Sequence, residues 1–542
     1  MSDKPNSDVL VLSGGKLGAA AAYGISRAGY RVVIATERSH IGNCGSTDLA
    51  IRLTGSDSDP FIPFPEKLKA DRNIDVWTNT DVSQVRGFVG DFQVVLQRAG
   101  ETNKKTFGAI VATSDIRTKG LAGRYHLTGK RGVISFAELE KMLASTSREI
   151  EGKTIALLHG LQIEANPLEF DRLLTVTSKL LELNNRVFAF VNNLKLTAFP
   201  LDQKYHAVRA KGAIFVKSPG EPDFFVDGDP LQIEFFDSAL ARKIKLTPDM
   251  IGVDQEYLPD EKNSALTAKL GIRLSKNKFL QAENVHNLTV RTNRKGVFVI
   301  GAGKQVQGAD DSLADVENVV HELDRLFRMA QAEERDPFAE VDPEKCVICL
   351  TCYRSCQHNA ITWVDGIAKV YEPACFGCGI CASECPMNAI QVTSYSDQAL
   401  GAKIGEITLK PGHLIAFCCK NSAIEAHDAA LKSNFDSPLG LEMVELPCAG
   451  KLDAELIMEA LIKGADGVMV LGCHPGNCKS EKGSIFARRR VEEVRRMLET
   501  TGIEKERVQF GTLAANMGSA FRKLTTEMSG TIRELGPCAL KE

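Results

Sequence analysis

Two runs of cysteine constrain this chain more than any other feature. Cys346, Cys349, Cys352 and Cys356 stand at the spacing C-x2-C-x2-C-x3-C, and Cys375, Cys378, Cys381 and Cys385 repeat it, with Pro386 after the last. Three thiolates on one tight loop reach three irons of a cubane, and the fourth starts a helix that crosses to the other cluster. The spacing predicts two [4Fe–4S] clusters, one on Cys346, Cys349, Cys352 and Cys385, the other on Cys375, Cys378, Cys381 and Cys356. Structural zinc is the competing reading, but zinc sites use C-x2-C pairs rather than two complete runs of four. Gln357-His358 stands where proline usually follows the fourth cysteine, a change near a sulfur that leaves the ligand set whole.

The other cysteines are as unevenly spread. Of 15 in the chain, only Cys44 precedes residue 346, and six follow Cys385. A disulfide scaffold would be short and evenly supplied, so clustered thiols in a chain of 542 residues point to metal. Three times after residue 410 an apolar strand ends in cysteine and a helix follows: His413 to Cys418-Cys419, Leu441 to Cys448, and Asp466 to Cys473 and Cys478. In an open parallel sheet all strand C-termini lie on one edge, where ligands bind. Cys418 or Cys419, Cys448, Cys473 and Cys478 then converge, enough for one [2Fe–2S] cluster, with zinc or a redox-active disulfide as alternatives. His474 reads as a loop or supporting residue, and Cys44 and Cys538 as free thiols.

The first 345 residues are less decisive. An apolar strand from Asp8 runs into Ser13-Gly14-Gly15 and Gly18, an Ala-rich helix follows, and Arg31 to Ala35 is a second strand. This βαβ unit sets its glycines where a dinucleotide pyrophosphate meets a helix N-terminus. The match is imperfect: Ser13 replaces the first glycine, and Thr36 stands at the acidic position with Glu37 one place late. Nucleotide binding and a structural remnant both remain open. A short strand ending at Thr113 and a later one ending at Gly301 and Gly303 complete the outline of a two-dinucleotide-domain flavoprotein. Lys153 to Leu158 starts a second α/β region whose turn, His159-Gly-Leu-Gln-Ile, lacks a glycine fingerprint and reads as structural.

The expected architecture is multidomain α/β. Residues 1–150 form a Rossmann-like FAD unit completed by about 283–331, and 151–282 a second α/β domain. A linker at 332–345 leads to a ferredoxin-like (α+β) domain at 346–396, and 410–537 is a parallel α/β iron–sulfur domain.

Several stretches carry a family resemblance. Asp8 to Gly42, Asn73 to Gln97, Gly108 to Leu143, Gly296 to Val316 and the paired cysteine runs resemble the A subunit of heterodisulfide reductase. The stretches FCCKN, LPCAGK, GADGVMVLGCHPGNC and the terminal IRELGP resemble the delta subunit of methyl-viologen-reducing hydrogenase, an iron–sulfur adaptor. Their fusion is similar to the B subunit of the quinone-interacting membrane-bound oxidoreductase. The resemblance implies one FAD, two [4Fe–4S] clusters and one [2Fe–2S] cluster. It implies partners as well: a flavoprotein sister subunit, a membrane haem subunit, and adenylylsulfate reductase or hydrogenase. The extra cysteine group common in the A subunit of heterodisulfide reductase is missing after Cys44, and Ser422 stands where the adaptor family often has cysteine.

The implied function is one-electron relay, between menaquinol-linked partners and adenylylsulfate reductase in sulfate reduction. The alternatives are a flavin-bifurcating subunit of the heterodisulfide reductase or hydrogenase type, and a flavin-less adaptor that carries clusters only. No acid–base pair or nucleophile motif is visible, so no catalytic side chain is expected beyond the cofactors. With 66 basic and 69 acidic residues, nothing favours nucleic acid as a partner. No apolar run reaches the roughly 18–20 residues of a membrane span, and no signal peptide is visible, so a cytoplasmic chain meeting membrane only through partners is expected. Arg488-Arg489-Arg490 reads as a solvated helix face that could dock an acidic partner.

Overall fold

The computed structural model describes residues 6–42, 64–145, 150–197, 200–218, 224–227, 230–237, 240–280, 284–287, 289–329 and 337–540. Cys44 and residues 332–336 of the expected linker lie outside them.

The first unit is a parallel sheet in the spatial order Val297–Val299, Ala109–Ala112, Val9–Leu12, Val32–Ala35, Ile74–Trp77. The stretches VLVL, VVIA and AIVA are buried at every position, as strands covered on both faces must be. Helices Lys16–Arg27 and Ala309–Met329 cover one face through Ala19, Ala22, Ile25, Val316 and Val319. The other face meets an antiparallel sheet of Thr80–Phe88, Asp91–Arg98 and Glu101–Phe107, with Phe92, Val94 and Leu96 inward.

A second parallel sheet has the order Ile214–Lys217, Arg186–Val191, Thr154–His159, Met250–Val253, Val133–Ser135. Its border corrects the expected one. The chain leaves the first unit on Ile116–Gly120 and returns on Gln255–Pro259, and these two strands pair antiparallel. Val133–Ser135 and helix Phe136–Ala144 therefore belong to the second sheet. Ser135 caps that helix with a reciprocal box to Glu138, whose carboxylate accepts from Ser135 N at 2.7 Å.

Within the stretch expected as linker, Ala339–Val341 pairs antiparallel with Ile390–Val392 and closes the small cysteine-rich unit. A hairpin of Ile361–Val364 and Ile367–Val370 forms its other side. The C-terminal unit is a parallel sheet in the order Leu441–Leu446, Leu414–Cys419, Gly467–Gly472, Val508–Thr512. Helices Asp397–Glu406, Ala454–Ile462 and Gly483–Thr500 cover one face, and Glu425–Lys432 and Gly518–Leu535 the other.

Candidate iron–sulfur and flavin sites

The paired runs fold as two near-copies of one loop. Ile348 and Leu350 flank Cys349 with φ of 53° and 57°, and Gly377 and Gly379 flank Cys378 with φ of 63° and 78°. Each loop enters a short helix, Thr351–Ser355 or Ile380–Ser383. Glycine takes the left-handed region without penalty, whereas β-branched Ile348 does not. That both loops keep this shape despite the different residues indicates that the turn of the chain around the sulfurs imposes it.

Thiols of the two runs lie side by side. Cys346, Cys349, Cys352 and Cys385 line one apolar cavity with Val341, Leu350 and Ile390. Cys378 has Cys356 and Cys375 as neighbours, and burial with these thiols pushes it up to about 12. Backbone amides point at sulfur: Ala360 N to Cys356 Sγ at 3.4 Å, Gly377 N to Cys375 Sγ at 3.4 Å, and Ala389 N to Cys385 Sγ at 3.3 Å. Such donors favour thiolate, the form that binds iron. The donor set fits two cubanes. Among the described residues no group of three or more His, Cys, Asp or Glu is placed to hold a metal ion directly, and a cubane sets its four thiolates farther apart than a single ion does.

In the C-terminal unit Cys419, Cys448, Cys473 and Cys478 converge at the C-terminal edge of the sheet, each at most 3% exposed. Cys419 Sγ lies 3.9 Å from Cys473 Sγ. Hydrogen bonds from the Cys448 and Cys473 thiols hold Cys419 and Cys478 on the thiolate side, well below the ordinary thiol range. The same bonds hold Cys448 and Cys473 as thiols. The Ser422 side chain supports the Cys419 thiolate, and the hydroxyl of Ser484 is buried beside the group without a partner. A convergent, buried four-thiol set fits a bound inorganic cluster. Cys418, carried as an alternative ligand, turns to the opposite face of the sheet, among Met469, Leu471 and Phe521. Lys420–Ile424 leaves Cys419 as a π-helical turn before helix Glu425–Lys432. His474 Nε2 lies 3.3 Å from Met517 Sδ, and Cys538 is buried in the core with its amide donating to Asp466 Oδ1 at 2.7 Å.

The two cysteine-bearing units meet with little side chain between them. A Cβ on Gly379 would fall 2.5 Å from Lys451 Cδ, and one on Gly450 would fall 2.8 Å from Ile380 Cγ1 and 2.9 Å from Gly483 Cα. A Cβ on Gly483 would strike Cys448 Sγ. Lys451 is fully buried and paired with Asp397. Arg490 corrects the reading of its run as a solvated face: helical periodicity puts it with Ala487, Val491 and Val494 on the buried side. It donates to Gly450 O at 2.9 Å and Leu452 O at 2.7 Å and pairs with Glu384 of the paired-run unit. Sequence reasoning missed this role because a triple arginine looks the same on either face.

At the dinucleotide turn, Gly15 caps helix Lys16–Arg27 with extended backbone and no side-chain cap, so the helix start suits an anion. A Cβ on Gly14 would strike Thr36 Oγ1, and one on Gly18 would strike Ser13. Both glycines are thus required for the close approach of helix and strands. Thr36 Oγ1 accepts from Arg38 N at 3.2 Å, Arg38 pairs with Asp115, and Glu37 pairs with Lys262. On the other side Leu17 and Thr113 face Gly301, and Ser114 packs on Gly303. A buried network missed in the sequence holds this loop: Asp315 accepts from Gly301 N at 2.9 Å, Lys304 Nζ at 2.6 Å and Gln307 Nε2 at 2.7 Å. The cradle fits a dinucleotide at Gly14, Gly15, Gly18, Thr113, Gly301 and Gly303. The ribose contact an acidic residue would make at Thr36 is missing.

Residues 414–536 match the family model of the methyl-viologen-reducing hydrogenase delta subunit, and residues 339–392 match a 4Fe-4S dicluster domain. The chain is 25% identical over 314 residues to the A subunit of ferredoxin:CoB-CoM heterodisulfide reductase from Methanosarcina mazei, covering 57% of this chain and 40% of that protein. It is 37% identical over 125 residues to the iron-sulfur D subunit of F420-non-reducing hydrogenase from Archaeoglobus profundus, covering 23% of this chain and 91% of that protein. Among solved structures, T. acidophilum thioredoxin reductase aligns at 16% identity and a TM-score of 0.38, covering 60% of this chain and 100% of its own. Through its C-terminal unit the chain belongs to the methyl-viologen-reducing hydrogenase delta-subunit family, joined here to a 4Fe-4S dicluster domain and a region similar to the A subunit of heterodisulfide reductase.

Proposed function

We propose that this chain is an electron-transfer subunit of a multi-subunit oxidoreductase of the heterodisulfide reductase or hydrogenase type. It holds two [4Fe–4S] clusters, one [2Fe–2S] cluster and FAD. The distal cubane uses Cys346, Cys349, Cys352 and Cys385, the proximal one Cys356, Cys375, Cys378 and Cys381, and the [2Fe–2S] cluster Cys419, Cys448, Cys473 and Cys478. Bound clusters exchange single electrons, and flavin converts between electron pairs and single electrons.

The carrying observation is the contact between the cluster loops. Gly379 lies between two ligands of the proximal cubane, Lys451 follows the Cys448 loop, and the stem of Lys451 rests on Gly379. The residues of the chain do three things. They hold thiolates, they aim amides at sulfur, and they exclude water from the junction through Lys451, Ile380 and Arg490. On the flavoprotein-like side, Lys295 Nζ donates to Cys375 O at 2.7 Å, and Tyr371 stacks on Phe88 with ring centroids 4.6 Å apart. The proximal cubane site thus touches both neighbouring units.

The named relatives are hydrogenase and heterodisulfide reductase subunits, which favours that type over the narrower link from menaquinol to adenylylsulfate reductase. The partners are other subunits of such a complex. Among the described residues no helix is long and apolar enough to cross a membrane, so partners supply any membrane contact in this reading. Anaerobic purification followed by iron, sulfide, zinc and flavin analysis tests the proposal. It expects about ten irons per chain, the content of two cubanes and one [2Fe–2S] cluster, and one FAD. The same iron without flavin would leave a cluster-only adaptor, and stoichiometric zinc without iron would defeat the reading.

A further inference from the structure

Gln357-His358, which replaces the proline usual after the fourth cysteine, packs onto the first unit through both side chains. Asn293 Nδ2 donates to Gln357 O at 3.2 Å, and His358 Nδ1–H donates to Asn293 O at 2.9 Å. The His358 ring stacks on Phe376, beside Cys375, with centroids 3.9 Å apart. Arg273, from the first unit, donates through Nη2 to Gln357 Oε1 and through Nη1 to Glu481 Oε2 at 3.2 Å. Its own amide donates to Asn293 Oδ1 at 3.1 Å. Gln357 directly follows the proximal ligand Cys356, and Glu481 lies in the loop that follows Cys478. One guanidinium therefore holds the loops behind a ligand of each of two cluster sites. Asn284 reinforces the second loop by donating to Cys478 O at 2.8 Å, and Val285 N donates to Asn477 Oδ1 at 3.1 Å.

We infer that Arg273 is a positioning residue that fixes the spacing between the proximal cubane and the C-terminal cluster by clamping Gln357 and Glu481 together. The inference rests on the reading that both sites carry clusters. Chemistry favours arginine for this task. A guanidinium offers five donors in a rigid planar fork and serves two acceptors at once, whereas a lysine ammonium is a point charge on a flexible stem. Glu481 is nearly buried, at 7% side-chain exposure, so the charge of Arg273 is its compensation. Electron tunnelling slows steeply with distance, so a loosened clamp shows first in the rate between the two clusters and leaves their number unchanged.

The test compares the full chain with Arg273→Ala, Arg273→Lys and Glu481→Gln after anaerobic reconstitution with iron and sulfide. Two readouts are taken: re-equilibration of electrons between cubane and [2Fe–2S] signals after flash reduction, and amide exchange in residues 357–359 and 479–482. The clamp predicts full iron content and unchanged spectra for each cluster in Arg273→Ala, with several-fold slower re-equilibration and several-fold faster exchange in both loops. Arg273→Lys should restore protection to one loop only. Wild-type rates and exchange in Arg273→Ala would overturn the inference. Should Arg273→Ala lose iron, Glu481→Gln decides by the same two readouts, because it removes one charge and keeps the side-chain shape. A wild-type chain without a [2Fe–2S] signal defeats the electron-transfer reading, and the exchange measurement still judges the clamp.

Discussion

Cys418 and Cys419 are neighbours on one strand and serve opposite cores. Cys419 lies 3.9 Å from Cys473 at the candidate cluster site, while Cys418 packs with Ala423, Met469 and Phe521 on the other face. Cys419→Ala should lower iron by about two per chain and remove the [2Fe–2S] spectrum. Cys418→Ala should keep both, at a stability cost on the order of 1 kcal/mol for a small buried side chain. Iron analysis and electron paramagnetic resonance of the two variants check this, and equal iron loss in both would refute the assignment.

The distal loop holds Ile348 and Leu350 in the left-handed region, where the proximal loop has glycines. Such a backbone costs about 1–3 kcal/mol per residue. Ile348→Gly should raise the denaturant midpoint at which the distal cluster bleaches, because Ile348 is 41% exposed and loses little packing. Gly377→Ala should do the reverse for the proximal cluster, since its Cβ would strike Pro337 O at a φ of 63°. Absorbance loss against denaturant, followed for each variant, measures both shifts.

The sequence revealed the paired runs because cluster chemistry fixes ligand spacing along one short segment. It left Cys418 and Cys419 open for a physical reason. Alternation along a strand says that the two point oppositely, but helices cover both faces of this sheet, so hydrophobicity names no preferred face. Arg490 and Arg273 were hidden for a related reason. Helical periodicity puts Arg490 on the buried side, but no local pattern names Glu384 as its partner, or Gln357 and Glu481 as those of Arg273. The border of the second unit was missed because Val133–Ser135 is a three-residue strand with no glycine fingerprint after it. The Asp315 network had a faint trace, in that Lys304, Gln307 and Asp315 stand close together after an apolar strand.

The second unit should carry a pH dependence of its own. Burial pushes Asp254 up to about 7, although it accepts from Gly160 N at 2.7 Å and Tyr125 Oη–H at 3.2 Å. The nearest histidine offers no compensating charge, since burial pushes His159 down to about 3. A raised carboxyl binds a proton in the folded state that the unfolded chain has released. Its stabilising contribution is full below the ordinary value of 3.8 and is lost as pH rises to about 7. Asp254→Asn removes that loss and keeps an acceptor oxygen. The variant should be more stable than the wild type at about pH 8, on the order of a few kcal/mol, with the advantage gone near pH 4. Amide exchange of Ile155–Leu158 and Met250–Val253 reports it, and a pH-independent difference would count against the mechanism.

The flavin turn gives the last test. Ser13 Oγ accepts from Gly15 N at 3.2 Å and so occupies an amide at the start of the helix that a dinucleotide phosphate would use. Ser13→Gly frees that donor and opens the approach that the first glycine of the motif ordinarily gives. Affinity for added FAD should rise by roughly 0.5–1.5 kcal/mol, the net worth of one hydrogen bond. Gly14→Ala should act oppositely, because its Cβ would strike Thr36 Oγ1 and push the turn from the second strand. Fluorescence quenching on titration with FAD measures both. Tighter binding in Ser13→Gly with loss in Gly14→Ala would locate the phosphate at this helix start. Unchanged affinity in both variants would place any bound flavin elsewhere.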